Sequence, residues 1–224
     1  ARGRAVLTGE ASDATGALPA QPTAPPLDDD QSNAVLAELY ALEASICSNQ
    51  GDHAGAIRRY VQARQASPEP LQRARLELRE AGAVALSLER ARFAAARRQA
   101  GAARRTLEAA GDRRGVMEAG RTLGVIAWYE GDAAAATARF REALELAEEL
   151  ADLTLAAGLL NNLGLTAQAQ GELSQAEAYL ERALDIAERS GQASVLCRAY
   201  TNVGRVRRAL SDPDGALDNF AAGA

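Results

Sequence analysis

The side chains that could do acid–base, nucleophilic or metal chemistry are few and far apart in this sequence. His53 is the only histidine, and it follows a Gly51-Asp52 turn that would place it at the surface. Cys47 and Cys197 match no metal or redox spacing, so we interpret them as small buried residues in a reducing cytosol. The phosphate-binding loop needs a lysine, and the chain has none. We therefore expect no enzymatic activity, no bound metal and no cofactor.

Asparagine and arginine are the residue types that point to binding rather than catalysis. An asparagine amide offers a donor and an acceptor together, so it can pair with both polar groups of a peptide backbone. A guanidinium grips a carboxylate or phosphate with two parallel hydrogen bonds, and all 25 basic residues are arginine. Whether these side chains converge depends on the elements that carry them.

The composition of the 224-residue chain favours closely packed helices. Alanine contributes 53 residues, and together with leucine, arginine and glutamate it belongs to the best helix formers. Aromatic residues make up only 4%, which argues against a β-sandwich or barrel. No stretch approaches 18 apolar residues without charge, so we expect no membrane span. The sequence thus predicts an all-α, cytoplasmic protein, and the arginine-only basicity is typical of a GC-rich bacterial source.

Residues 1–32 differ from the rest of the chain. Four of the seven prolines lie there, ahead of an acidic run at Asp28-Asp29-Asp30. This composition is typical of a linker or disordered arm. Either Asp30 or Ser32 could cap the first helix, because a short side-chain oxygen can accept a hydrogen bond from a first-turn amide.

A pattern with a period of 40 residues dominates the C-terminal half. Each copy has a glycine inside a helix, a small residue at a turn, and then alanine, phenylalanine or leucine, and a small residue in a second helix. The copies read LGVIAWYEGDAAAATARFREAL, LGLTAQAQGELSQAEAYLERAL and VGRVRRALSDPDGALDNFAAGA. The internal glycines at Gly124, Gly164 and Gly204 each cost about 1 kcal/mol in a helix, which predicts a neighbouring helix too close for a side chain.

These framework residues resemble the tetratricopeptide repeat (TPR) family, in the long form found in kinesin light chains and bacterial multidomain regulators. The resemblance implies a right-handed α-solenoid of stacked antiparallel helix hairpins. Weaker copies lie upstream, one with its turn at Gly51 and one in which Arg98 replaces the turn glycine after a small helix residue at Ala91. We expect five units at about 33–66, 73–112, 113–152, 153–192 and 193–224, together a repeat domain at 33–224.

The resemblance also implies a binding groove, because the first helix of each TPR hairpin lines the concave face. The residues it places there for a peptide or partner are Arg121, Trp128, Asn161, Asn162, Arg198, Asn202 and Arg205. The weaker second unit would add Glu89 and Arg92. Three positions match the five that clamp a terminal carboxylate in some TPR domains, whereas Val125 and Asn202 depart from that pattern.

A structural interpretation of the same residues stays open. Asn161 and Asn202 could hydrogen-bond between repeats, the arginines could be solvated, and Trp128 could pack in the core. Under the functional interpretation the chain is a non-catalytic scaffold that binds a protein or peptide, acidic or with a free carboxylate. The alternative is a sensor or regulatory arm of a larger bacterial signalling protein, such as an ATPase, kinase or transcription regulator, with this chain a section of it.

Charge along the chain suggests one further kind of contact. Residues 50–121 are net basic and residues 122–224 are net acidic, so the chain could associate with itself or dock on a neighbouring domain. Scarce aromatics and a pI of about 5.1 argue against nucleic acid as a partner, and nothing in the sequence suggests a membrane partner.

Overall fold

The computed structural model describes residues 28–191 and 193–223, and regular structure in these residues is entirely helical. The chain is a right-handed α-solenoid in which each helix packs antiparallel on the next, so that successive pairs form five hairpins. The helices are α1 (Asp29–Asn49), α2 (His53–Ala66), α3 (Pro70–Leu86), α4 (Arg90–Ala109), α5 (Arg113–Glu130), α6 (Ala133–Glu149), α7 (Leu153–Ala169), α8 (Leu173–Ser190), α9 (Ala193–Ala209) and α10 (Pro213–Ala222).

The 40-residue period arises from two equal steps of twenty. One residue in every turn except that between α2 and α3 has a left-handed backbone conformation, and from α4 onward these residues are Gly111, Gly131, Ala151, Gly171, Gly191 and Ser211. The amide of Asp132 reaches back to the carbonyl of Ala127 at 2.9 Å and closes the end of α5. The Asp132 carboxylate then accepts a hydrogen bond of 2.9 Å from the amide of Ala135 and caps α6. A Gly-Asp pair therefore ends one helix and starts the next.

The glycines inside the helices lie where a neighbouring side chain presses on the backbone. A Cβ atom at Gly124 would lie 2.5 Å from Cε1 of Phe140, and one at Gly164 would lie 2.5 Å from Cγ of Leu180. The expected close approach of the two helices is confirmed for the last three hairpins, since a Cβ atom at Gly204 would likewise lie 2.7 Å from Cε1 of Phe220. Buried alanines fill the same contacts, and this explains the high alanine content: a solenoid core needs small residues because adjacent helices lie close together.

The second hairpin differs from the sequence prediction. Its turn is not at Arg98, which lies exposed in the middle of α4, but at Ser87–Glu89, where Leu88 takes the left-handed conformation with φ of 60°. A leucine in that conformation carries no glycine signal, so the turn was placed ten residues too late. As a result Ala91 is not in the first helix of its hairpin. Glu89 and Arg92 lie at the start of α4 rather than on the concave helix.

The first helix begins earlier than the predicted start at residue 33. Asp28 accepts a hydrogen bond of 2.7 Å from the amide of Gln31, and the Gln31 side chain accepts one of 3.2 Å from the amide of Asp28. This reciprocal capping box fixes the helix start, so neither Asp30 nor Ser32 is the cap. Residues 1–27 of the predicted linker lie outside the described residues.

Candidate binding groove

The inner face of the solenoid carries a broad open groove of about 1190 Å³. Its walls come mainly from α5, α7 and α9, the first helices of three successive hairpins, and its N-terminal edge comes from α3. Six of the seven side chains predicted for a partner site line this groove: Arg121, Trp128, Asn161, Asn162, Arg198 and Asn202. Arg205 is exposed further along α9 and does not line it.

Two of the asparagines hold neighbouring repeats together. The side-chain nitrogen of Asn202 donates a hydrogen bond of 2.8 Å to the side-chain oxygen of Asn161. Both side chains are buried, with exposed fractions of 9% for Asn202 and 5% for Asn161. Hydrogen bonding between repeats is therefore confirmed for this pair. Asn162, which is half-buried beside it, has a side-chain amide without a partner in the described part of the chain.

The groove carries more positive than negative charge. Arg114 pairs with Asp152 at 3.3 Å and reaches Glu118 at 3.8 Å. Arg79 and Arg121 also line the groove, and neither makes an ion pair with any of the described residues. Two guanidinium groups are therefore available to an anionic ligand.

The position of Arg121 in the groove changes its electrostatics. Desolvation by the surrounding walls lowers the pKa of Arg121, and the negative charge of Glu118 opposes this only in part. The guanidinium stays charged at neutral pH, because its usual pKa is far above that range. Because Arg121 remains exposed in the open groove, its guanidinium is accessible to a carboxylate from a ligand.

Trp128 packs in the core with one part of its side chain and lines the groove with the rest. It is half-buried near the end of α5 and packs against the apolar cluster formed by α6 and α7. The rest of the ring lines the groove, next to Val125 and Leu155. This leaves an apolar surface beside the arginines, on which an apolar side chain could pack.

Sequence reasoning missed Arg79 at the N-terminal edge of the groove. The sequence alignment took Ala91 as the small residue in the first helix of the second hairpin. The preceding helix, α3, was therefore not recognised as that first helix. The available signal was Pro70, since proline is favoured at the first position of a helix and here begins α3. Two other interpretations also need correction: His53 is half-buried rather than on the surface, and Cys197 is exposed rather than buried.

Two other kinds of feature are absent from the described residues. Residues 28–191 and 193–223 contain no group of three histidine, cysteine or acidic side chains placed to hold a metal ion. Within the same residues, no helix combines the length and apolar character needed to cross a bilayer.

Comparison with known proteins gives the same architecture. A family model described as tetratricopeptide repeat matches residues 155–222. A crystal structure of BtubC (BKLC) from P. vanneervenii superposes with a TM-score of 0.69 at 21% identity, over 85% of this chain and 79% of that one. A search of curated proteins found no match.

Two further solved structures are Rap proteins. A Rap protein complexed with competence and sporulation factor has a TM-score of 0.76 at 16% identity, over 85% of this chain and 54% of that one. The Rap conjugation gene regulator of the plasmid pLS20, in complex with the Phr* peptide, has a TM-score of 0.74 at 17% identity. It covers 96% of this chain and 58% of that one, so the chain spans little more than half the length of these Rap proteins. Residues 155–222 are tetratricopeptide repeats, and the described chain as a whole has the fold of a TPR solenoid.

Proposed function

We propose that this chain is a non-catalytic binding module that holds an extended peptide, or an extended segment of a partner protein, in its concave groove. The observation that carries the proposal is the convergence of Arg121, Asn162 and Trp128 in one groove, each with binding capacity left over. The two Rap structures support it as relatives in fold, since one is in complex with competence and sporulation factor and the other with the Phr* peptide.

The groove chemistry favours an acidic ligand with an apolar side chain. Arg79 and Arg121 offer forked donors to carboxylates, the Asn162 amide can pair with a peptide backbone, and the face of Trp128 can cover an apolar group. A five-residue clamp for a terminal carboxylate is a poorer fit. Val125 cannot hydrogen-bond there, and the Asn202 amide already donates to Asn161.

The test is a peptide array probed with the purified chain. Asn162→Ala and Arg121→Glu should each reduce binding to the peptides that the wild type selects, and Arg121→Glu should reduce it most for acidic ones. Arg98→Glu is the matched control, because Arg98 is exposed on α4 outside the groove and its replacement changes the net charge equally. Binding that is unchanged by both groove variants, or reduced equally by the control, would reject the groove.

Solution binding gives an independent readout. Trp128 is the only tryptophan in the chain, so its fluorescence reports on the groove. A peptide selected on the array should change the Trp128 fluorescence when it is titrated into the protein. The affinity from that titration should agree with the binding seen on the array. A peptide that binds without changing the Trp128 signal, and whose binding survives Arg121→Glu, would locate the interaction elsewhere.

A second candidate function places the same groove in a regulator. The chain aligns with the peptide-bound pLS20 regulator over 96% of its own length but only 58% of that protein. In this role peptide binding would change the activity of a domain joined to the solenoid. Reading the coding sequence on both sides of this segment tests it: an adjoining kinase, ATPase or DNA-binding domain supports the regulatory arm, and its absence favours a free scaffold.

A further inference from the structure

A second, smaller pocket lies between α1 and α3, beside the N-terminal edge of the groove. Its volume is about 360 Å³. Arg79 lines both this pocket and the groove, so the two open spaces adjoin at that side chain. The surface open to a ligand therefore does not end at α3.

The repeat register places the α1 side of this pocket on the inner face of the solenoid. Glu118 and Val125 of α5 line the groove. The residues two 40-residue periods earlier in the sequence are Glu38 and Ser45, and both line the pocket from α1. The inner wall thus continues from α9 through α7, α5 and α3 to the first helix.

Three polar side chains of the pocket already have partners within the chain. Arg75 pairs with Asp112 at 2.8 Å, and Gln72 accepts a hydrogen bond of 2.8 Å from the Ser67 hydroxyl. The Ser45 hydroxyl donates a hydrogen bond of 2.9 Å to a backbone carbonyl one turn earlier in α1. These groups are engaged in holding the first two hairpins.

The remaining lining consists of two opposite charges and an apolar surface. Arg79 and Glu38 make no ion pair with any of the described residues. Ala41 and Leu76 pack on the core, and Leu42 is 61% exposed. The pocket therefore offers a guanidinium that it shares with the groove, a carboxylate, and an apolar wall in contact with water.

We propose, building on the proposed function, that the peptide held in the groove extends past Arg79 into this pocket and places an apolar side chain against Leu42 and Leu76. The acidic residues of the peptide bind Arg79 and Arg121, and they end there because Glu38 repels a further carboxylate. Packed helices lie about 8 to 10 Å apart, and an extended chain rises about 3.3 Å per residue. The ligand class is thus an extended acidic segment with an apolar residue about three positions beyond it.

The probes for the test are fluorescein-labelled synthetic peptides, titrated with the purified 224-residue chain and followed by fluorescence anisotropy. Each peptide has an acidic core of alternating aspartate and glutamate, with a serine tail before or after it. One tail position, about three residues from the core, is serine, leucine or glutamate. At one of the two ends, leucine should tighten binding by about fivefold relative to serine, because its side chain leaves water. Glutamate at that position should weaken binding by about twofold, because it faces Glu38.

Variants of α1 assign these differences to the pocket, with circular dichroism to check that each is folded. Leu42→Ser should remove the gain from leucine and leave the affinity for the serine tail unchanged. Leu39→Ser is the matched control and should keep the gain, because Leu39 is 51% exposed on the same helix but does not line the pocket. Glu38→Gln should remove the penalty for the glutamate tail.

Arg121→Glu separates this inference from the function on which it rests, because it should weaken the binding of all three tails alike. If no peptide binds the wild type, or if binding survives Arg121→Glu, the groove proposal fails and the inference fails with it. If binding needs Arg121 but leucine gives no gain at either end, the pocket alone is rejected, including the case in which residues 1–27 or a second copy fill it. A gain that persists in Leu42→Ser, or that Leu39→Ser removes equally, rejects the pocket as well.

Discussion

The side-chain amide of Asn202 on α9 donates a hydrogen bond to the side-chain oxygen of Asn161 on α7, and 2.8 Å separates the two atoms. Both side chains are buried, so neither can replace its partner with water. A pair of residues on the binding face thus fixes one hairpin to the next. The polar wall of the groove is partly a structural joint, and only the groups beside that joint are free to meet a ligand.

Replacing Asn161 with alanine should destabilise the protein by about 1 to 3 kcal/mol, because it leaves the Asn202 amide buried without a partner. The free energy of unfolding in urea measures the effect. Asn162→Ala, one residue along the same helix, is the matched control and should cost much less, since its side chain has no partner in the described residues. The double variant Asn161→Ala/Asn202→Ala should lose less than the sum of the single losses. Full additivity would show that the bond carries no coupling energy.

Replacing Gly164 with alanine should weaken the packing of α7 against α8. The added Cβ would lie 2.5 Å from Cγ of Leu180, and overpacking of this kind costs about 1 to 3 kcal/mol. Gly158→Ala, on the same helix α7, meets no atom within 4 Å and should stabilise by up to about 1 kcal/mol. Thermal unfolding of the two variants should move in opposite directions. Shifts of the same sign would contradict the packing argument.

The N-cap Asp112 should make stability depend on acidic pH. Desolvation by itself would raise the pKa of Asp112, but the Gly115 amide and the Arg75 guanidinium outweigh it and hold that pKa below its usual value. A lowered carboxyl pKa stabilises the fold above the unfolded-state pKa, and this contribution is lost as the pH falls through the folded-state value.

Asp112→Asn keeps a capping side chain but removes the charge next to Arg75, and at neutral pH it should cost about 0.5 to 1 kcal/mol. The difference from the wild type should shrink on acidification, as measured by urea unfolding at several pH values. Asp132→Asn is the control, because Asp132 caps α6 without an arginine pair among the described residues. An equal pH dependence in the control would remove Arg75 from the explanation.

Ala151 occupies a turn position where glycine is favoured. Its φ is 52°, in the left-handed region, where a residue with a Cβ pays about 1 to 2 kcal/mol. Ala151→Gly should therefore raise the melting temperature, although the unfolded chain becomes more flexible. Ala178→Gly, the same change at an exposed position inside α8, should lower it. A loss of stability in both variants would mean that the turn is not strained.

The repeat was predictable from sequence where glycine and aspartate form the turns. Gly131-Asp132 and Gly171-Glu172 each mark the end of one helix and the start of the next. The spacing of these pairs therefore predicts the last three hairpins. The second hairpin was misplaced because Leu88 makes the same turn without that chemistry. Leucine is not a residue type typical of the left-handed conformation, so the local sequence does not indicate this turn.

The groove was also predictable only in part, because some of its contacts join residues that are far apart in the sequence. That Asn161, Asn162 and Asn202 would lie on the concave side was implied by the resemblance to TPR hairpins. That Asn161 and Asn202 satisfy each other while Asn162 stays available depends on the distance between α7 and α9, which is a property of the assembled solenoid. Arg79 was missed for a related reason, since it enters the groove from the hairpin whose turn was misread.

The twenty-residue step between turns restricts how a protein of this design can change in length. Each step reverses the direction of the chain, so removing one helix and its turn would transfer every later helix from the inner wall to the outer wall. Removing two steps together restores the original arrangement and merely shortens the groove. The length of the solenoid can therefore change only by whole hairpins. Duplication or loss of a hairpin changes the size of the ligand that fits, while the contacts that remain keep their geometry.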